Sequence, residues 1–303
     1  MLAALALRAG RPVSVGELVD CLWGPEAPDS AVTTVRTYAW RLRKAFDAVG
    51  AGGVLASVGS GYRLAVEGAQ VDALLVEDLA TRASRAQSLG ELYEAEARLG
   101  EALGLWQGEP LTGVPGPFAE RQRVRLAELR IALLEDRLEV ELDLGGHVRV
   151  IPELSELIAG HPLRERPYGL LMRALYRSGR QVEALSVFTG LRRLLVSEQG
   201  IDPGPDLLSL HQRILAGDPS LWAVVPAAAP ARPRVEARRP TSPADMTDVL
   251  PQAAAEPRAV DTPRPAAGRR AGRARGAARR GGGRIARIAR RAGDSRPAPG
   301  HDP

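Results

Sequence analysis

A chain of 303 residues has room for about two domains of ordinary size, and 45% hydrophobic residues place it among globular proteins. The net charge of +5 hides an asymmetry: 17 arginines and 7 acids lie from Ala223 onward, whereas the first 222 residues carry 24 basic and 29 acidic groups. The overall basicity therefore belongs to the tail and says little about nucleic-acid binding by the folded part. One cysteine, Cys21, excludes an intramolecular disulfide framework and a cysteine-based zinc site. No apolar run reaches membrane-spanning length, and Arg8 and Gly10 interrupt any signal-peptide pattern, so a cytoplasmic location without membrane attachment is expected.

Residues 1–9, MLAALALRA, form an apolar helical segment closed by Gly10. Ser14 caps a second helix, VGELVDCLWG, and Glu17 three residues on completes a capping box. Val15, Leu18, Val19, Leu22 and Trp23 fit one buried face there, with Cys21 as a small buried hydrophobe. Gly24-Pro25 stops this helix. Pro28-Asp29-Ser30 then launches a long one over 30–46, with Asp29 or Ser30 offering a capping oxygen.

At ~100° per residue, Val32, Val35, Tyr38, Ala39, Leu42, Ala45 and Phe46 share a core face of that helix. Thr33, Thr34, Arg36, Thr37, Trp40, Arg41, Arg43 and Lys44 share the other. A length of roughly 25 Å lets such a helix lie in a major groove. Arg36, Arg41 and Arg43 can each take a guanine bidentately, worth ~1–3 kcal/mol of discrimination, while Lys44 suits a phosphate. Thr33 and Thr37 divide evenly between base or phosphate contact and solvation. Trp40 projects among the polar residues, where an indole packs on sugar or a thymine methyl unless the helix is rotated to bury it. A plain solvated face is the alternative for the whole set. Two β-type runs, VLASV and YRLAV, flank Gly59-Ser60-Gly61 and read as a hairpin. Helix, helix, long basic helix and hairpin, in that order, make a winged helix-turn-helix.

Two helices follow between residues 72 and 105, broken near Ser88-Leu89-Gly90. Six Pro or Gly residues between Gly108 and Pro117 forbid a helix there. Residues 118–144 form a long helix with apolar Leu126, Leu129, Leu133, Leu134, Leu138 and Leu142, and its run of Glu135, Asp136, Glu139 and Glu141 reads as a solvated face. Leu144-Gly145 and Ser178-Gly179, 34 residues apart, each precede a helix, a tetratricopeptide-like period of helical hairpins. A Gly/Pro turn over 200–205 closes the array and DLLSLHQRILAG supplies a last helix. Residues 223–303 are Ala, Pro, Gly and Arg with few large apolar side chains, so disorder is expected. The polycation at 268–291 can bind nucleic-acid backbone without sequence preference or serve as an inert extension.

No catalytic constellation is present, so the chain is expected not to be an enzyme and to need no cofactor and no metal. His147, His161, His211 and His301 form no metal-spaced pair, and Gly59-Ser60-Gly61 lacks the further glycine of a dinucleotide site.

Residues 1–66 resemble the OmpR/PhoB-type winged-helix domain through SVGELVDCLWG, TVRTYAWRLRKAF and GSGYRL. The resemblance implies that the long helix enters the major groove, that Ser60 at the wing tip reaches a minor groove, and that Trp23 touches phosphate. Val58 stands where the family carries a basic wing residue, leaving Arg63 as the nearest cation. It also implies a small sheet ahead of the first helix, for which this sequence holds no residues. Residues 72–222 resemble the bacterial transcriptional activator domain through HPLRERPYGLLMRALYRSGRQVEAL and GIDPGPDLLSLHQRIL. The two together are the arrangement of the SARP family of antibiotic-regulatory activators. That implies a mainly α, sequence-specific activator of secondary-metabolite genes, with protomers on direct repeats of double-stranded promoter DNA and contact with RNA polymerase. It also implies descent from phosphorelay output domains, although no receiver domain is present here. The competing expectation is a tetratricopeptide-like interaction adaptor with weak or lost DNA binding.

Overall fold

The computed structural model describes residues 1–222, and what was expected of 223–303 falls outside the described residues. The first element is a short helix, α1 (Leu2–Ala6), followed by a three-residue strand, β1 (Pro12–Ser14), and helix α2 (Val15–Trp23). Ser14 and Glu17 form the expected capping box: the Glu17 amide donates to Ser14 Oγ at 3.2 Å and the Ser14 amide donates to Glu17 Oε2 at 2.9 Å. This satisfies two of the donors that a helix start leaves open.

Helix α3 (Ala31–Asp47) is the long basic helix. Neither expected side chain caps it; the Ala31 amide instead donates to the Pro28 carbonyl at 2.8 Å, so a tight backbone turn performs the capping. Strands β2 (Leu55–Val58) and β3 (Gly61–Leu64) follow as the expected hairpin. The sheet, however, has three strands, because β1 pairs antiparallel with β3 and places β3 in the centre. Gly61 faces Ser14, and a Cβ on it would lie 2.1 Å from the Val13 carbonyl oxygen, so only glycine permits that pairing. Leu5, Val13, Leu18, Val35, Ala39, Phe46, Leu55, Tyr62 and Leu64 form the core beneath.

The remaining described elements are helices: α4 (Asp72–Ser88), α5 (Leu92–Gly104), α6 (Pro117–Asp143), α7 (Val150–Gly160), α8 (Glu165–Arg177), α9 (Gln181–Gln199) and α10 (Pro205–Leu215). Val76, Leu79, Ala83, Leu92, Ala95 and Leu99 of α4 and α5 pack on Leu133 and Val140 of α6. The other side of α6, through Leu138 and Leu142, joins the larger core of α7 to α10. Gly145 and Gly179, the residues of the 34-residue repeat, both adopt positive φ where a new helical hairpin begins.

The acidic run on α6 corrects one expectation. Glu135 is only 1% exposed, and Glu135, Asp136 and Glu139 form an ion-pair seam with arginines of and beside α8 rather than a solvated face, while Glu141 pairs with Arg137 and Arg149. Arg164 reaches Glu128 and Glu135, Arg166 reaches Asp136 and Glu139, and Arg173 bridges Glu139 and Asp143 at 2.9 and 2.8 Å. Arg177, also buried, donates to the Leu142 carbonyl at 2.9 Å and the Leu221 carbonyl at 2.8 Å. It thereby adds a second donor to the Leu142 carbonyl, which also accepts from the Gly145 amide at 3.2 Å, and fastens the last described turn.

Helix α6 also joins the two halves of the molecule. Phe118 in its first turn belongs to the winged-helix core, with the Arg8 guanidinium 5.8 Å from its ring centroid. Gly116 precedes it at φ +101, where a Cβ would meet the Leu22 carbonyl oxygen at 2.7 Å. The Arg123 guanidinium donates to the carbonyls of Leu111 and Val114, holding the Gly/Pro loop against α6.

Candidate nucleic-acid interface

The core stripe of α3 is narrower than its periodicity suggests. Ala31, Val35, Ala39 and Phe46 are buried, Tyr38, Leu42 and Ala45 are half-buried, and Val32 is 44% exposed. Val35 and Ala39 belong to the winged-helix core, and the opposite face is left to solvent. That face carries Thr33, Arg36, Thr37, Trp40, Arg41 and Lys44, all exposed. The rotation that would bury Trp40 does not occur; its side chain is 59% exposed, with the Lys44 ammonium 5.4 Å from the ring centroid.

Three cations on one face at positions 36, 41 and 44 give a positive strip along about two turns. The hydroxyls serve it differently. Thr37 Oγ1 donates to the Thr33 carbonyl at 3.0 Å, which leaves its lone pairs and methyl directed outward. Thr34, on the same half of the helix, likewise donates to the Ser30 carbonyl at 3.0 Å. Such i to i−4 bonds spend the hydroxyl proton on the helix, so a partner meets these threonines as acceptors or as methyl groups.

Arg43 stands apart from its basic neighbours. It is half-buried, with Nε donating to the Leu55 carbonyl at 3.1 Å, Nη2 donating to Ser57 Oγ at 2.8 Å, and its guanidinium carbon 5.5 Å from the Tyr62 ring centroid. The helix projection put it with the cationic face; the fold turns it onto the hairpin. Ser57 and Tyr62 are thus functional neighbours that sequence reasoning missed, because the contact spans 14 and 19 residues and leaves no periodic trace.

At the wing, Gly59 has φ +55 and Ser60 is exposed at the turn, its carbonyl accepting from the Val15 amide at 3.1 Å. The bond ties the turn to the first residue of α2. Arg63 is exposed on β3 between buried Tyr62 and Leu64, so it lies on the face of the sheet away from the core. Trp23 is half-buried, packed against the winged-helix core at the end of α2. The structure brings Thr33, Arg36, Thr37, Trp40, Arg41 and Lys44 together on one helix face, and leaves Trp23, Ser60 and Arg63 on separate elements.

Among the described residues no group of three or more His, Cys, Asp or Glu is arranged to hold a metal ion, and no described helix is long and apolar enough to cross a membrane. His161 ends α7 and His211 stacks on Phe188 with ring centroids 4.0 Å apart.

Two family models match this chain: "Transcriptional regulatory protein, C terminal" over residues 1–64 and "Bacterial transcriptional activator domain" over residues 71–215. Among curated proteins, the regulatory protein AfsR of Streptomyces coelicolor is 51% identical over 257 residues, which is 84% of this chain and 25% of the relative. The regulatory protein DnrI of Streptomyces peucetius is 42% identical over 236 residues, 74% of this chain and 87% of the relative. The chain spans about a quarter of the length of the AfsR relatives and most of DnrI. A solved structure of Mycobacterium tuberculosis EmbR, in complex with a low affinity phosphopeptide, superposes with a TM-score of 0.69 at 32% identity, covering 73% of this chain and 60% of that one.

Proposed function

We propose, for a chain that belongs to the SARP family of transcriptional regulators, that the outer face of α3 reads promoter DNA in the major groove. The observation that carries this is the strip of Thr33, Arg36, Thr37, Trp40, Arg41 and Lys44, exposed together on one 17-residue helix. Arg36 and Arg41 supply the planar donors that match guanine, and Lys44 supplies a point charge for phosphate. The hairpin turn at Ser60, with Arg63 behind it, is the element that follows the backbone into the adjacent minor groove, and Trp23 closes the contact at a phosphate.

In this reading the protein is a sequence-specific activator of secondary-metabolite genes, without enzymatic activity. Protomers occupy direct repeats side by side, and the helical module over 72–222 engages RNA polymerase. The support for these steps is family membership together with the attachment of that module to the winged helix through α6, which contributes to both cores.

The experiment is a binding titration of the full chain on promoter fragments across a range of salt. Each phosphate neutralised by a cation contributes to the salt slope. With Arg41 as a base-reading residue, Arg41→Ala is expected to cost about 1–3 kcal/mol of affinity and to relax sequence preference, while Lys44→Ala, at a phosphate, lowers the slope by about 1. Binding that survives Arg41→Ala but disappears from a chain ending at Trp222 would assign the activity to the arginine-rich tail and sink the α3 reading.

A further inference from the structure

Within the sheet order β1-β3-β2, strand β2 is an edge. The Val54 carbonyl, immediately before β2, faces inward and accepts from the Ala65 amide at 2.7 Å, so by strand alternation the next carbonyl, that of Leu55, faces outward. An outward edge carbonyl is an open acceptor, and Arg43 Nε fills it at 3.1 Å. The same guanidinium reaches a second point on β2 through Ser57 Oγ and lies against Tyr62 of the central strand. One side chain of α3 therefore grips both strands of the hairpin.

We propose that Arg43 is a positioning residue that fixes the offset between the wing and the outer face of α3, and that it makes no phosphate contact of its own. This deepens the DNA-reading function proposed above and rests on it. Groove recognition by two elements at once requires that the distance between them be set before binding, since ordering a loose hairpin on the DNA subtracts from affinity. The planar fork of arginine meets that need where lysine does not: two divergent N–H groups reach a carbonyl and a hydroxyl while the plane lies near a ring. Leu55 and Ser57 sit 12 and 14 residues beyond Arg43, so the clamp also shortens the effective loop between helix and wing.

The test uses the full chain and three variants, Arg43→Ala, Arg43→Lys and Ser57→Ala, with a duplex enriched from random sequence by the wild-type protein. Without DNA, amide hydrogen exchange across residues 55–64 is expected to quicken by about tenfold in Arg43→Ala and less in the other two. With DNA, Arg43→Ala is expected to weaken binding by about tenfold, the size of a lost charge-assisted bond, with no change in salt slope. Hydroxyl-radical protection beside the wing should fade while base protection in the major groove persists. A slope lowered by about 1 with unchanged wing exchange would make Arg43 a phosphate contact and overturn the proposal. Should Arg43→Ala fail to fold, Ser57→Ala decides it, and unaltered exchange in that variant overturns the clamp. If the wild type enriches no duplex, the DNA-reading function fails, and the exchange measurement alone still decides whether Arg43 holds the wing.

Discussion

Glu135 and Glu139 sit one turn apart on α6, and both are held by arginines of or beside α8. Burial works to raise the Glu139 carboxyl, but Arg166 and Arg173 outweigh it, and its pKa lies below the ordinary 4.5. A carboxylate whose folded pKa is lowered stabilises the fold fully above its unfolded value, and that contribution disappears as pH falls through the lower folded value. The helical module should therefore lose stability on acidification below about 4.5, and Glu139→Gln should flatten that part of a urea-midpoint profile against pH. A profile of the same steepness in the variant would show that other carboxylates carry the acid response. Glu135→Ala leaves Arg164 facing a vacated site, yet Arg164 keeps Glu128 and some solvent. The expected loss is about 2 kcal/mol, less than for a fully buried pair. None of this seam was visible in the sequence. Glu135, Asp136, Glu139 and Glu141 have the spacing of a solvated helix face; Glu141 pairs nearby with Arg137 and Arg149, but the arginines that meet the other three arrive about 30 residues later, in or beside α8.

At the level of elements, what could be read was what repeats locally. Helices α2 and α3 announce themselves by 3.6-residue spacing and by breakers at Gly24-Pro25 and Pro28, and the hairpin by its glycine-rich turn. Strand β1 does not, because three residues beginning with Pro12 contain no alternation, and its partner β3 lies some fifty positions away. The clue lies in Gly61, which reads as a turn residue but is needed for close approach to Val13. Gly61→Ala would place a methyl carbon 2.1 Å from that carbonyl oxygen, so β1 and β3 must separate. Since β1 leads directly into the capping box of α2, the separation reaches the base of the winged helix. A loss of about 3 kcal/mol or more is expected in chemical denaturation. Gly59→Ala, at φ +55 in open space, costs the smaller conformational amount of about 1 kcal/mol. Equal effects at the two positions would mean that turn geometry, not strand contact, is what Gly61 supplies.

For the whole molecule, the question is whether the winged-helix half and the helical half act as one body. A flexible connection would let each protomer bind its site while its helical module pointed anywhere. The fold argues for one body, because the 27-residue α6 begins inside the winged-helix core and ends inside the core of α7 to α10. The joint itself is small: Phe118 under α1 and α2, Gly116 against the Leu22 carbonyl, and Pro117 beside Gly24. Phe118 is 9% exposed, and its removal leaves a cavity worth about 3 kcal/mol at the boundary between the halves. The wild-type chain should unfold in a single calorimetric transition, and Phe118→Ala should split it, with the winged helix melting first because it owns the smaller core. If protomers occupy direct repeats as proposed, the same variant should bind one isolated DNA site almost normally at a temperature where both halves are folded, yet lose the cooperativity expected of that arrangement on paired sites. A variant that keeps one transition and full cooperativity would show that the two halves are coupled elsewhere along the chain.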